Sequence, residues 1–251
     1  MTIQEQRDYW LKFNRFQQRY ESIYTPKINN ALKAQNKQYI DNGTLMAVNS
    51  LPIVEVLLDL YKTIAPIWGA SSIVDLASRK ARMPMGFSQR ITDLMLQYYS
   101  IEIWNLADNI TDTTKALIQH VLDLSVVEGF GFDEIIRRLA LAGITANRAR
   151  LIARTETVGA ANYAASIVAR ETGLVMDKIW IAAIDMRTRD HHIEINQTVV
   201  PMDAKFPIGP YGMDYPGDKD GGPAEVCNCR CTHAYIPKRD ANGQPISVGR
   251  I

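Results

Sequence analysis

The sequence changes its pattern once, near Gly173, and this change limits the folds that the chain can adopt. Before it, from Gln4 onward, apolar residues recur at steps of three and four, the spacing of helices that bury one face. After it, short β-rich runs are separated by a segment rich in proline and glycine, which favours strands, turns and a long loop. We predict an α+β fold: a mainly helical N-terminal half followed by a small C-terminal α+β lobe with a long Pro/Gly loop.

Proline, glycine and capping residues, which tend to begin or end helices, divide the helical half into predicted helices. Thr25-Pro26 predicts a kink or an interruption in the first helix, because proline lacks a backbone donor; a second helix then runs to Asn42-Gly43. Thr145 predicts the N-cap of an alanine-rich helix that ends before Gly173. The other predicted helices are 51–68, 71–82, 87–106, one capped at Thr111-Asp112-Thr113 and closed by Gly129 and Gly131, and 132–141 before Gly143, with a breaker at 83–86.

Strand signals are confined to the C-terminal lobe. The β-rich runs at 178–183, 195–200 and 231–236 predict three strands. Residues 238–251 form a polar tail, which we expect to be mobile.

The composition is that of a globular protein, with 47% hydrophobic residues and a net charge of +1. A near-neutral chain has no general attraction for nucleic acid, so any DNA contact needs a local basic patch. Arg137, Arg138, Arg148 and Arg150 are the candidates. We see no secretory signal and no apolar run of about 20 residues, so we expect a soluble protein made in a cytoplasm, with no membrane partner.

The three cysteines, Cys227, Cys229 and Cys231, lie within five residues of one another. An odd and tightly spaced set does not suit a disulfide framework. In an extended segment Cys229 and Cys231 point to the same face. The sequence leaves three interpretations open: small buried thiols, a metal site or a catalytic thiol.

A metal site would most naturally bind zinc, which favours thiolate and imidazole ligands in a tetrahedral arrangement. His192 is the best candidate to join Cys229 and Cys231. Cys227 or Asp185 could supply a fourth ligand, and His233 continues the alternation of the cysteines.

Three charged clusters stand out, at 153–156, 185–192 and 223–231. Arg187 and Arg189 could bind a phosphate or carboxylate ligand through their forked donors. The alternative, which we favour, is that they pair internally with Glu156, Asp185 or Glu225. Arg154 and Glu156 lie two residues apart on a helix, where side chains do not face each other. We therefore expect each to find a partner outside its own helix.

Taken in order, these clusters resemble the phage head morphogenesis family, the Mu protein F-like minor head proteins, over residues 132–236. The matching pieces are Ala153-Arg154-Thr155-Glu156, Trp180, Asp185-x-Arg187-Thr188-Arg189 with His192, Tyr215-Pro216-Gly217-Asp218, Pro223-Ala224-Glu225 and Asn228-Cys229-Arg230-Cys231. Two positions depart from the family pattern. Asn196-Gln197 stands where an Asn-Gly or Asp-Gly turn is common, and Cys227 stands where the family is often apolar, which weakens it as a ligand.

The resemblance implies a minor head protein that acts in procapsid and head assembly. Such a protein has the portal protein, the scaffold and the major capsid protein as partners, and contacts packaged double-stranded DNA non-specifically. It would be assembled in the host cytoplasm and then lie in the virion, in the head interior or at the portal vertex. We divide the chain into a partner-docking helical region at 1–130, the Mu F-like domain at 131–237 and the tail at 238–251. The predicted structural cluster of that domain is Arg154, Glu156, Asp185, Arg187, Arg189, Glu225, Asn228 and Arg230.

Two other functions compete with this one. The family domain is similar to ADP-ribosyltransferase-like folds, so a transferase or a metal hydrolase could use Arg154, Glu156, Arg187, His192 and Glu225. No nicotinamide-binding motif is evident, and we expect no enzymatic activity. The other alternative is a DNA-binding module that uses Arg148, Arg150 and Arg154 along one helix together with the arginines at 137 and 138.

Overall fold

The structure is a computed structural model that describes residues 1–78, 87–183, 185–210 and 212–248. The predicted breaker at 83–86 and the predicted end of a helix at Arg82 lie outside the described residues. Five long helices come first: α1 (Ile3–Asn42), α2 (Leu51–Ser78), α3 (Phe87–Glu128), α4 (Phe132–Leu141) and α5 (Ala146–Glu171). A short 3-10 helix, Leu45–Ala47, follows α1.

The predicted interruption at Thr25-Pro26 is wrong, because α1 is continuous through Pro26. Proline removes one helical hydrogen bond, but Tyr24 and Ile28 on either side of it are buried. Burial of each side chain is worth about 1.5–3 kcal/mol, which outweighs the loss of one bond. The Thr25 hydroxyl also donates to the Glu21 carbonyl at 2.7 Å.

Two further predicted breaks are also wrong. The predicted helices 51–68 and 71–82 join into α2, which continues through Pro66. The predicted cap at Thr111-Asp112-Thr113 lies inside α3. Thr111 is buried there, and its hydroxyl donates to the Ala107 carbonyl one turn earlier at 2.7 Å. Its polar group is thus satisfied within the helix, and no N-terminus is needed.

The predicted helix ends at glycines agree with the structure. Gly43, Gly129 and Gly173 have φ angles of 69°, 67° and 64°, the left-handed conformation that ends many helices. Thr145 caps α5 as predicted, since its hydroxyl accepts the backbone N–H of Arg148 at 3.0 Å.

The C-terminal lobe contains one antiparallel sheet in the order β2-β1-β3. The central strand β1 (Met176–Ile181) pairs with β2 (Val199–Pro201) on one side and β3 (Thr232–Pro237) on the other. Two short helices, α6 (Asp190–Glu194) and α7 (Gly222–Val226), lie between the strands in sequence. The predicted α+β class, with a helical N-terminal half, is therefore confirmed.

The predicted strand 195–200 is shorter than expected. Its first residue, Ile195, is the C-cap of α6, and Gln197 has a φ of 68°, which ends the turn before the chain extends. Only Val199–Pro201 forms the strand β2.

The predicted mobile tail is hydrogen-bonded along its described part. Val175 donates its N–H to the Ile246 carbonyl at 2.9 Å, and Val248 donates to the Gly173 carbonyl at 2.8 Å. The tail therefore returns to the segment between α5 and β1.

The contacts of the chain define two compact units. One comprises Met1–Tyr20, Tyr61–Leu96 and Arg154–Ile251, and the other comprises Glu21–Leu60 and Gln97–Ala153. In the first, the rings of Phe13 and Phe16 pack on Trp68 at centroid distances of 5.1 and 4.9 Å. The division of the sequence at residues 130 and 237 stays a prediction.

The second unit has its own core and its own buried polar contacts. The core cluster contains Val48, Ile118, Leu139 and Ala142. The buried Asn36 amide donates to the carbonyls of Leu139 and Ala142, at 2.9 and 2.8 Å. These bonds satisfy carbonyls that the C-terminus of α4 leaves open. Among the described helices of the chain, none has an apolar stretch long enough to cross a membrane.

We expect Gly217→Ala to lower the free energy of unfolding by about 2–4 kcal/mol, because it adds steric overlap to backbone strain. Gly217 has a φ of +91°, and a Cβ there would lie 2.9 Å from the Cα of Gly159. The control is Gly243→Ala, with a φ of +76° but no atom within 4 Å of its Cβ, for which about 1 kcal/mol is expected. Urea unfolding measures both variants, and equal losses would contradict the close approach.

Candidate functional site

The C-terminal lobe is built around a small apolar cluster. Its buried members are Trp180, Ala182, Ala183, Ile195, Phe206, Ile208, Met213, Val226, Cys229 and Cys231. The Trp180 ring packs edge-on against the rings of His192 and Phe206, at centroid distances of 5.4 and 5.2 Å. Cys229, Cys231 and His192 thus belong to the core of the lobe.

The turn after β1 places His192 in this core. Asp185 shapes the turn, since its carboxylate accepts the backbone N–H of Arg187 at 2.8 Å and its carbonyl accepts that of Thr188 at 3.0 Å. Helix α6 then begins at Asp190. His192 is 1% exposed, whereas the neighbouring His191 points outward.

A second turn, after α7, places Cys229 and Cys231. Asn228 adopts a φ of 63°, a left-handed conformation that asparagine tolerates better than most residues. Its backbone N–H donates to the Thr155 hydroxyl at 2.9 Å, and its side-chain oxygen accepts Arg154 at 2.5 Å. Helix α5 therefore fixes the turn from which both cysteines enter the core.

The two turns bring one imidazole and two thiols together. His192 Nδ1 lies 3.5 Å from Cys231 Sγ and 3.8 Å from Cys229 Sγ. All three ligand atoms lie within 4.8 Å of one another. The other ring nitrogen of His192, Nε2, lies 2.9 Å from a carboxylate oxygen of Glu225. These are donor types that a zinc ion accepts.

The other proposed ligands lie elsewhere. Cys227 is half-buried and is outside the group of three. Asp185 binds Arg230, with one of the two N···O contacts at 2.8 Å. His233 is buried beside Asn162, with Nδ1 at 3.3 Å from its side-chain oxygen. The spacing of residues in the sequence alone could not distinguish these three candidate ligands from the group formed by His192, Cys229 and Cys231.

Burial and mutual contact shift the pKa values of the cluster. The hydrogen bond from Cys231, together with His192, holds the pKa of Cys229 well below its usual range. The same bond to Cys229 raises the pKa of Cys231 well above its usual range. Burial lowers the pKa of His192, but its contacts with Cys229 and Glu225 more than offset this, so the pKa is raised. One thiolate beside one thiol is the arrangement that these directions favour.

The charged residues of the three sequence clusters are held by partners within the lobe and the helices of the same unit. Arg189 donates to the carbonyls of Glu225 and Cys227, at 3.3 and 2.8 Å. Glu156 is buried, accepts the Tyr61 hydroxyl at 2.6 Å and pairs with Lys219 at 3.1 Å. Arg154 and Glu156 thus have partners outside α5, as expected.

Arg187 differs from the other arginines of the cluster. Its side chain is 65% exposed and lies 4.0 Å from Asp185. Of the predicted internal pairings, Arg187 with Asp185 is present as this 4.0 Å contact, whereas Arg189 binds the backbone carbonyls of Glu225 and Cys227 instead of a carboxylate. Arg230 also binds Asp185, at 2.8 Å. Of the residues suggested for a transferase site, His192 and Glu225 contact each other at 2.9 Å. Glu156 binds Tyr61 and Lys219, and Arg187 lies 4.0 Å from Asp185.

Four of the arginines suggested for DNA contact lie in the second unit. Arg137 and Arg138 both pair with Glu134, at 2.7 and 2.5 Å. Arg148 donates to the Ile110 carbonyl at 3.0 Å and to the Thr114 hydroxyl at 3.1 Å, and burial lowers its pKa. Arg150 is exposed and donates to Asn147 at 2.7 Å.

Sequence reasoning missed Asn162, which connects α5 to two parts of the lobe. Its side-chain nitrogen donates to the carbonyls of Pro216 and Cys231, at 2.9 and 3.2 Å. Its oxygen accepts the Thr232 hydroxyl at 2.8 Å. The available signal was one amide among the alanines of a buried helix, since a buried polar group needs such partners.

Lys178 was also missed. Its side chain is 1% exposed, and its ammonium donates to the Asp214 carbonyl at 2.8 Å and lies 5.1 Å from the centre of the Phe206 ring. Burial lowers its pKa, and nearby Asp214 partly counters that effect. A lysine inside an apolar strand was the sequence signal.

Comparison with known proteins shows that part of the chain is similar to a known protein family. Residues 116–234 match the Phage Mu protein F like protein family. The minor head protein GP7 of Bacillus phage SPP1 is 30% identical over 114 residues, which are 44% of this chain and 37% of that protein. The chain thus spans little more than a third of the curated relative. No solved structure matches the chain. The predicted resemblance is confirmed over this stretch, which contains the two turns and all three cysteines.

We expect Asn162→Leu to lower the free energy of unfolding by about 3 kcal/mol or more, because it leaves two carbonyls and a hydroxyl without a partner in a buried site. The control is Asn147→Leu on the exposed face of the same helix, where a change within about 0.5 kcal/mol is expected. Chemical unfolding of both variants gives the comparison. Equal, small losses would show that Asn162 does not connect these segments.

The Asp185–Arg230 pair should make stability depend on pH. The hydrogen bond from Arg230 lowers the folded-state pKa of Asp185, so its contribution is present above the unfolded pKa of about 3.9 and is lost as the pH falls through the lower folded value. Because Asp185 is partly exposed, we expect Asp185→Asn to cost only about 1 kcal/mol at pH 7. The cost should shrink towards pH 3. A cost that stays constant between these pH values would argue against the pair.

Proposed function

We propose that the protein is a minor component of a phage head that acts in procapsid and head assembly near the portal. The match of residues 116–234 to the Phage Mu protein F like protein family supports this proposal. The similarity to a minor head protein of Bacillus phage SPP1 supports this proposal. A minor head protein as relative favours a non-enzymatic function here.

One structural observation carries the proposal: within residues 116–234, most charged side chains of the three sequence clusters bind other groups of the same fold. Arg154 binds Asn228, Arg189 binds two backbone carbonyls and Arg230 binds Asp185. A catalytic site directs at least part of its hydrogen-bonding groups at the substrate. Groups whose hydrogen bonds end on the same lobe instead give a rigid body, which suits a protein that presents surfaces to assembly partners.

The proposed partners are the portal protein, the scaffold and the major capsid protein, with the helical region 1–130 as the docking part. Its final location is the virion, in the head interior or at the portal vertex, after assembly in the host cytoplasm. The proposal includes weak, non-specific contact with packaged DNA through Arg150 and Arg137, the two most accessible of the four candidate arginines.

The assembly function is tested by co-expression of the full chain with the portal protein, the scaffold or the major capsid protein of the same phage, each in turn. We expect stable co-purification with the portal protein in particular. Mass spectrometry of purified procapsids and virions should detect the protein in few copies. Its absence from both particles, together with no co-purification with the portal protein, would refute the proposal.

The DNA contact is tested by changing the charge around Arg137. Glu134 lies within 2.7 Å of Arg137 and carries a pKa lowered to about 2 by hydrogen bonds from Arg137 and Arg138, so it stays ionised and offsets their charge. We expect Glu134→Gln to strengthen binding to duplex DNA at low salt by several-fold. The double variant Arg137→Ala with Arg150→Ala should weaken binding, and all binding should fall steeply with salt. No binding by wild type or Glu134→Gln at low salt would remove DNA contact from the proposal.

A further inference from the structure

We propose that His192, Cys229 and Cys231 bind one zinc ion, through the Nδ1 atom of the histidine and the two sulfur atoms, and that Glu225 orients the histidine for this purpose. The inference goes beyond the assembly function, and it stands on geometry and ligand chemistry within the C-terminal lobe.

The distances in the cluster match those around a tetrahedral zinc ion. With Zn–N near 2.1 Å and Zn–S near 2.3 Å, a tetrahedron separates nitrogen from sulfur by about 3.6 Å. The two separations in the structure are 3.5 Å to Cys231 and 3.8 Å to Cys229. An ion can therefore enter between these three atoms with only small side-chain shifts.

Glu225 provides the support that histidine ligands of zinc usually have. Its carboxylate lies 2.9 Å from Nε2 of His192, so in the zinc-bound state Nε2 would keep the ring proton and Nδ1 would give its lone pair to the ion. Glu225 is itself fixed by burial and by a second contact, to His191 at 3.1 Å. The backbone N–H of Cys231 also donates to the sulfur of Cys229 at 3.4 Å, which stabilises negative charge on that sulfur.

The charge balance of the lobe also favours a divalent cation. When a metal ion binds, both thiols are ionised, and two thiolates with the Glu225 carboxylate then place negative charge beside Trp180 and Phe206, where unpaired charge is costly. Arg189 faces backbone carbonyls, and Arg230 faces Asp185. A zinc ion supplies the missing positive charge. Thiolate ligands favour zinc over magnesium or calcium, which prefer oxygen.

Three protein ligands leave one position of the tetrahedron, and we assign it to a small ligand such as water. Cys227 lies outside the group of three ligand atoms, and its carbonyl accepts Arg189 at 2.8 Å. The ion would connect α6 to the segment that enters β3. In a lobe with so small an apolar core, such a connection contributes directly to folding.

The test is elemental analysis of the full chain, purified from zinc-supplemented medium without chelator. We expect about one zinc per chain in wild type and in Cys227→Ser, which changes a cysteine two residues away but leaves the three ligands intact. Cys229→Ser and Cys231→Ser should each hold less than about a tenth of that amount. Wild type without zinc would overturn the proposal, and so would equal loss in all three cysteine variants.

A second measurement covers the case in which the ligand variants fail to fold. Glu225→Gln keeps all three ligands and the shape of the side chain, and we expect it to bind zinc about 10- to 100-fold more weakly than wild type in competition with a chromophoric chelator. Unchanged affinity would refute the orienting role of Glu225.

Metal-free wild type, titrated with Co²⁺ alone, should develop an intense sulfur-to-cobalt charge-transfer absorption that saturates at one equivalent. Cys227→Ser should show the same band. A titration of folded wild type that produces no such band would refute the site independently of any variant.

Discussion

The C-terminal lobe depends on the buried contact between His192 and the thiols of Cys229 and Cys231. It joins α6, which follows the central strand β1, to the segment that leads into the edge strand β3. The sheet itself has only three strands, and β2 pairs with β1 over three residues. So small a sheet buries little surface, and side-chain contacts between its connections must therefore supply much of the order.

Helix α5 supports this contact through hydrogen bonds to the segment that carries both cysteines. Asn228 is hydrogen-bonded to Thr155 and Arg154. Asn162 donates to the carbonyls of Pro216 and Cys231. Gly217 approaches the same helix closely beside Gly159. A long helix that makes these contacts on successive turns holds the Asn228 turn and the segments at Pro216 and Cys231 at once. These contacts bring the cluster at 153–156 together with the cluster at 223–231, about 70 positions later in the chain.

Much of this arrangement follows from the sequence. The change of pattern at Gly173 predicts the two halves, and glycines with left-handed conformations mark helix ends correctly. The order of the Arg, His and Cys clusters predicts that His192 meets Cys229 and Cys231, which the structure shows. Local signals were wrong at Pro26, between Trp68 and Ser71, and at Thr111, because burial of the neighbouring apolar residues outweighs the loss or redirection of one hydrogen bond. Asn162 and Lys178 could not be assigned beforehand, since their partners come from distant loops.

In the proposed metal centre, the imidazole of His192 and the thiolates of Cys229 and Cys231 bind the same zinc ion. X-ray absorption spectroscopy at the zinc edge of the purified full chain is the sharpest test, because it counts the sulfur atoms bound to the metal. We expect two sulfurs at about 2.3 Å and nitrogen or oxygen scatterers at about 2.0–2.1 Å. A spectrum that contains nitrogen and oxygen scatterers but no sulfur would contradict it.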